Sequence, residues 1–109
     1  MTYDKFNKLI EEQVVTSLKL LTKKGEEYAI GDADRLECFK VAAAVLGKQQ
    51  TEALAGMMVK HTVSVYEMCN DPKKYSMARW DEKITDSINY LLILRAMIEE
   101  ELTDEKHWN

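Results

Sequence analysis

Apolar residues recur at helical spacing along nearly the whole chain. Phe6, Ile10, Val14, Leu18 and Leu21 keep the period of a helix over Asp4–Tyr28. Leu36, Phe39, Ala43 and Leu46 mark the inner face of a second helix over Asp34–Leu46. Leu54, Met58, His61, Val65 and Met68 mark a third, from near Thr51 to about Cys69, with Glu52 in its first turn. A fourth begins between Ser76 and Asp81 and runs to about Leu102. The breaks fall between these runs. Gly31 in "IGDAD" is the expected stop of the first helix, with Asp32 or Asp34 as the next N-cap. Gly47 closes the second, and Asp71 before Pro72 is pushed out of the helical region. Gly25 in "KKGEEYA" loosens the end of the first helix or lets another backbone come close. The prediction is one all-α domain over 1–109, an antiparallel four-helix bundle without strands, with 103–109 as a frayed tail.

The fourth helix holds the position that most needs explaining. In "WDEKITDSINYLLIL", Glu82, Asp86 and Asn89 fall at i, i+4 and i+7, on one stripe. The same stripe continues through Ile93 and Met97, and from Tyr90 to Leu94 the helix is apolar on every side. A helix apolar all round is normally buried all round, so this stripe is expected to face packed protein. A carboxylate there is costly unless it is paired or bound to a cation. Two carboxylates one turn apart beside an amide suit a hard cation such as Mg²⁺. The plainer reading is a solvated first turn, where the helix dipole favours acidic residues.

Composition narrows the class without naming a function. The chain has 109 residues, 46% hydrophobic and 31% charged, with one proline and four glycines, which suits a single folded helical domain. It is small enough that association would help it bury surface. A net charge of −4 gives no general electrostatic reason to bind nucleic acid or an anionic membrane. No leader and no membrane-length apolar run is read, so a cytoplasmic location is expected. Cys38 and Cys69 lack a Cys-x-x-Cys spacing and are read as reduced, packed thiols.

Two further stretches carry candidate chemistry. "KKGEEYA" gathers Lys24, Glu26, Glu27 and Tyr28. Such a run is commonly a charged, solvated helix end. A single i, i+4 pair cannot complete an Mg²⁺ site, however, and this is the other tight cluster of carboxylates, with a lysine suited to a phosphate held by the same metal. In "GMMVKHTVSVYEM", Lys60 and His61 interrupt an apolar helix. A lone histidine on such a face is most simply a hydrogen-bonded core residue. Zinc is not expected, since His107 lies in the tail and no Cys/His pair has ligand spacing. Met57, Met58 and Met68 read as core filler, and no Gly-rich phosphate loop or nucleophile elbow is present.

"KKGEEYA", "MMVKHTVSVYEM" and "DEKITDSINYLL", taken together, resemble the phage and bacterial relatives of the MazG-like, all-α nucleotide pyrophosphohydrolases. The resemblance spans roughly Leu18 to Glu100 and is closest in the last helix. It implies a four-helix fold assembled as a dimer or tetramer, in the host cytoplasm for a phage protein. It also implies hydrolysis of nucleoside triphosphates to monophosphate and pyrophosphate with Mg²⁺. Carried over by position, Glu27, Glu82 and Asp86 would be metal ligands, and Lys24 and Lys60 phosphate contacts. Asn89 and Tyr90 would line the nucleotide pocket, with Arg35 and Arg79 as further phosphate candidates. The chain departs from the family in two places. Glu26 and Glu27 are followed by Ile30 where a third acid is usual, and Lys83 rather than an acid stands three before Asp86.

Three readings follow from the sequence. The first is an Mg²⁺-dependent pyrophosphohydrolase with Glu26 or Glu27 as general base. The second is a phage-type protein that binds a nucleotide or a nucleotide-derived signal without turnover, which the thinned acidic set favours. The third is a structural helical oligomer with Lys60 and His61 in a satisfied core network.

Overall fold

The computed structural model describes residues 1–28 and 34–108, and the side chains of 1–23 and 34–103. The described residues form four α-helices and no strand: α1 (Tyr3–Tyr28), α2 (Glu37–Leu46), α3 (Gln50–Asn70) and α4 (Met77–Trp108). A single 3-10 turn, Pro72–Lys74, separates α3 from α4. No described helix is long and apolar enough to cross a membrane.

Local chemistry explains most of the boundaries. α2 starts three residues later than the expected Asp34. The Asp34 carboxylate accepts a hydrogen bond from the Leu36 N–H at 2.9 Å, and such a local turn competes with the helix. Gly47 ends α2 in the left-handed conformation, φ 65°, and the Lys48 N–H bonds back to the Ala43 carbonyl. α3 opens on a capping box in which Glu52 accepts from the Gln49 N–H. Ser76 caps α4 by accepting from the Arg79 N–H. The Trp80 indole donates to the Pro72 carbonyl and meets Tyr75 edge-on, which pins the α3–α4 turn. α4 continues to Trp108, past the expected end near Leu102. Glycine 25 does not interrupt α1.

The helices are arranged along an α3–α4 hairpin. α2 and α3 are joined by three residues, and α3 runs back along α4, with Gln50 donating to Glu101 and the His61 ring against Tyr90. α1 runs the other way. Gln13 bonds Thr85 near the start of α4, while Leu21, eight residues on, lies in the pocket with Asn89, Tyr90 and Ile93. α1 is therefore parallel to α4, and the antiparallel expectation holds for the α2–α3 and α3–α4 pairs. The reason is the route of the chain, since α1 and then α2 follow the hairpin in one direction. The Arg35 guanidinium donates to the Leu21 carbonyl across their junction. The resulting particle is elongated, 49 × 29 × 29 Å.

The core lies where α2, α3 and α4 meet. Leu36, Phe39, Leu54 and Met97 form it, with Tyr90, Ile93 and Leu94 packed against them. Leu46, read as inward, is exposed, because the inner face of α2 ends at Ala43. α1 meets α4 through a polar seam instead. The Gln13 amide donates to both Ser17 and Thr85, at 3.1 and 2.9 Å, and both hydroxyls are buried. Lys40 ties the start of α2 to the far end of α4, bridging Asp34 and Glu100.

Two outcomes test this account. Gly56 lies inside α3, and a Cβ added there meets nothing within 4 Å. Gly56→Ala should raise stability by about 0.5–1 kcal/mol in urea unfolding, through helix propensity alone. The Lys40 bridge should show in the acid limb. The hydrogen bond from Lys40, followed by that from the Leu36 N–H, holds the Asp34 carboxyl below its ordinary value of 3.8. A depressed carboxyl contributes stability above that value and loses it as pH falls through the folded one. The melting difference between wild type and Lys40→Met should therefore be constant near neutrality and shrink below pH 3.8.

Candidate functional site

α4 sets the site by tilting one stripe from solvent into the core. Along Glu82, Asp86, Asn89 and Met97, exposure falls from 60% to 23%, 8% and 0%. The middle of that stripe forms the floor of a cavity of about 330 Å³ between the helices. Asp86, Asn89, Tyr90 and Ile93 come from α4 and His61 from α3. Arg35 leads into α2, Cys38 and Phe39 sit on it, and Leu21 closes the α1 side. The volume lies at the lower end of the range for small-molecule sites, and apolar walls with a few polar groups are typical of them.

The polar groups are incompletely paired. His61 Nδ1 and Asn89 Oδ1 are both buried and have no hydrogen-bond partner among the described residues. His61 Nδ1 stands 3.9 Å from the Asp86 carboxylate, beyond hydrogen-bond length. The His61 and Tyr90 rings are 5.0 Å apart and tilted by 50°. Burial, and then the nearby Asp86 charge, push the Tyr90 phenol above its ordinary value, so it is an O–H donor at neutral pH. Arg35 is half-buried and spends one N–H on the Leu21 carbonyl. The pocket thus offers a carboxylate acceptor, a phenol donor, a guanidinium and two orphaned buried atoms. An unpaired buried polar atom costs about 1–3 kcal/mol, a cost a ligand can relieve.

The structure brings Arg35, Asp86, Asn89 and Tyr90 together and leaves the other described candidates outside. Glu82 sits in the solvated first turns of α4 and pairs with Arg79, itself exposed. Lys60 is exposed on α3 and does not line the pocket, although its neighbour His61 does. The side chains of Lys24, Glu26 and Glu27 lie outside the described residues. His61, read as a satisfied core histidine, is neither fully buried nor bonded at Nδ1. Cys38 and Cys69 are free thiols, as expected, but exposed rather than packed. Cys38 and Phe39 were not legible as pocket residues. Their period marks a helix face, and only the cavity shared with His61 of α3 and Tyr90 of α4 turns that face into a wall.

The fit to Mg²⁺ can be judged on the donor set. The ion takes about six oxygens in near-octahedral geometry and keeps several waters. The described pocket supplies one carboxylate, Asp86, and one amide, Asn89. Among the described residues, no group of three or more His, Cys, Asp or Glu could hold a metal ion. The described residues by themselves do not fit an Mg²⁺ centre.

No family model matches the chain, and no curated protein or solved structure matches it. The likeness to the MazG-like hydrolases is carried by the short motifs alone.

Asn89→Leu replaces the orphaned amide with an apolar group of similar size. Urea unfolding should show stability unchanged or raised by on the order of 1 kcal/mol. A loss of more than about 2 kcal/mol would mean that Asn89 is a satisfied structural amide.

Proposed function

We propose that this protein binds a nucleotide or a nucleotide-derived small molecule in the α1–α4 pocket, without a metal centre built from the described residues. The observation that carries this reading is the convergence of Arg35, Asp86, His61, Asn89 and Tyr90 on one small cavity, with two buried polar atoms unpaired among the described residues. Aromatic and aliphatic surfaces of Phe39, Tyr90 and Ile93 suit a planar base. The Arg35 guanidinium suits a phosphate, and the Asp86 carboxylate suits an N–H or hydroxyl of the base or sugar. The resemblance to nucleotide-handling proteins supports the same ligand class. The binding unit in this reading is a homo-oligomer, because the apolar centre of α4 keeps Leu91 and Leu92 56% and 45% exposed in the chain alone. Neither nucleic acid nor membrane is its partner.

A second reading is Mg²⁺-dependent nucleoside triphosphate pyrophosphohydrolysis, the activity of the family the chain resembles. It is favoured by the position of Asp86 in the pocket and by the course of α1. That helix passes the pocket at Leu21 and carries Lys24, Glu26 and Glu27 within its next two turns. The role of Asp86 separates the two readings.

The test is a panel of nucleoside mono-, di- and triphosphates, with and without Mg²⁺, read by thermal shift and by pyrophosphate release. Binding should raise Tm without Mg²⁺, and Arg35→Gln should weaken it at least tenfold, the loss of about 1.4 kcal/mol expected for one charge-assisted contact. Pyrophosphate release that requires Mg²⁺ and disappears in Asp86→Asn would establish the second reading instead. No shift with any nucleotide would remove both.

A further inference from the structure

α1 is a 26-residue helix whose packing partner among the described helices is α4. Among its described side chains, residues 3–23, only the Gln13–Ser17 seam and the turn at Leu20 and Leu21 are covered. Phe6, Ile10, Val14 and Leu18, at i, i+4, i+8 and i+12, are 48% to 59% exposed. Four large side chains in one row is a contiguous apolar face, not scattered surface residues.

The surface area of this elongated chain is large enough for such a cover. A monomer of 12.6 kDa exposes about 6,200 Å². This chain exposes 8575 Å², an excess of about 2,400 Å². Its radius of gyration is 16.6 Å, where a compact chain of this length would have about 13 Å. The excess exceeds the roughly 800 Å² per partner of a standard interface and matches what one subunit of an obligate, core-like homodimer buries. The core it leaves is small. Among the described residues, the buried apolar ones are Leu36, Phe39, Ala43, Ala53, Leu54, Met68 and Met97, two of them alanines. A core of that size needs its cover whenever the chain is folded, and a copy of the chain is the partner present in equal amount at every moment.

We infer that the Phe6–Leu18 face of α1 is the centre of a two-fold interface with a second copy of this chain, and that folding is coupled to this association. The inference rests on the oligomeric reading above but not on the identity of the ligand. It centres the interface on α1 and not on Leu91 and Leu92 of α4. It also ties assembly to the pocket. Leu18 lies one turn before Leu21, so the partner buttresses the helix that forms one pocket wall.

The test measures mass by light scattering and Tm by circular dichroism across a tenfold dilution series. Wild type should run at twice the chain mass or a multiple of it, and each tenfold dilution should lower Tm by about 4 °C. Val14→Glu with Leu18→Glu should give monomer or a helix-poor chain. Both residues are more than half exposed in the single chain, where the charges would be nearly neutral. The matched control is Val59→Glu with Val63→Glu on α3, 52% and 49% exposed in the single chain, which should keep mass and Tm. Monomeric wild type at tens of micromolar would overturn the inference together with the oligomeric reading. An oligomer that survives the α1 charges, or loses mass or fold equally with the α3 charges, would overturn the α1 interface alone.

Discussion

Met97 is wholly buried where α2, α3 and α4 meet, against Leu36, Phe39 and Leu54, and the rest of the molecule is organised by that contact. Because the stripe of α4 repeats every three to four residues, burying Met97 places Ile93, Asn89 and Asp86 on the same inner side, with Asn89 at 8% and Asp86 at 23% exposure. Glu82 remains in water. The pocket lies along this gradient, where the polar residues of α4 meet His61 of α3 and the α2 wall. Asp86 and Asn89 occupy the depth at which a polar group is too buried for free solvation and too open for a closed hydrogen-bond network. That intermediate depth is where ligand groups can complete the pairing that the fold leaves open.

Two kinds of contact hold the helices around this centre. α2, α3 and α4 share a compact apolar cluster, while α1 is keyed to α4 by the Gln13 amide reaching Ser17 and Thr85. Small hydroxyl residues let two helices approach closely, and their bonds fix the register, but they bury little apolar surface. α1 is therefore located without being strongly held. It forms one wall of the pocket through Leu21, so any association that covers its outer face also rigidifies the site. In the proposed readings, a self-associated protein that binds a nucleotide, this geometry would link assembly to ligand binding.

The acidic residues divide by environment rather than by count. Glu82 and Asp86 are neighbours on one stripe, yet Glu82 is solvated beside Arg79 and Asp86 faces His61 and Tyr90. One turn of helix separates a dipole-favoured surface acid from a pocket acid. The same division applies to Lys60 and His61, adjacent in sequence, of which Lys60 is exposed and His61 lines the pocket. A motif written as a string groups all four residues, and the fold sorts them.

The amino-acid pattern alone determined the four helices, their order and most of their ends. Helical period, Gly47, Ser76 and Asp71-Pro72 act within a turn or two, where local sterics and capping decide. It also marked Asp86 and Asn89 as misplaced polar residues, because the same stripe ends in Met97. It could not tell that α1 runs parallel to α4, that Leu46 and the Phe6–Leu18 face stay uncovered in the single chain, or that Cys38 and Phe39 complete a pocket with His61. Those follow from which helix crosses which, and at what angle. Period says that a side has an inside, but only tertiary packing says what, if anything, stands opposite it.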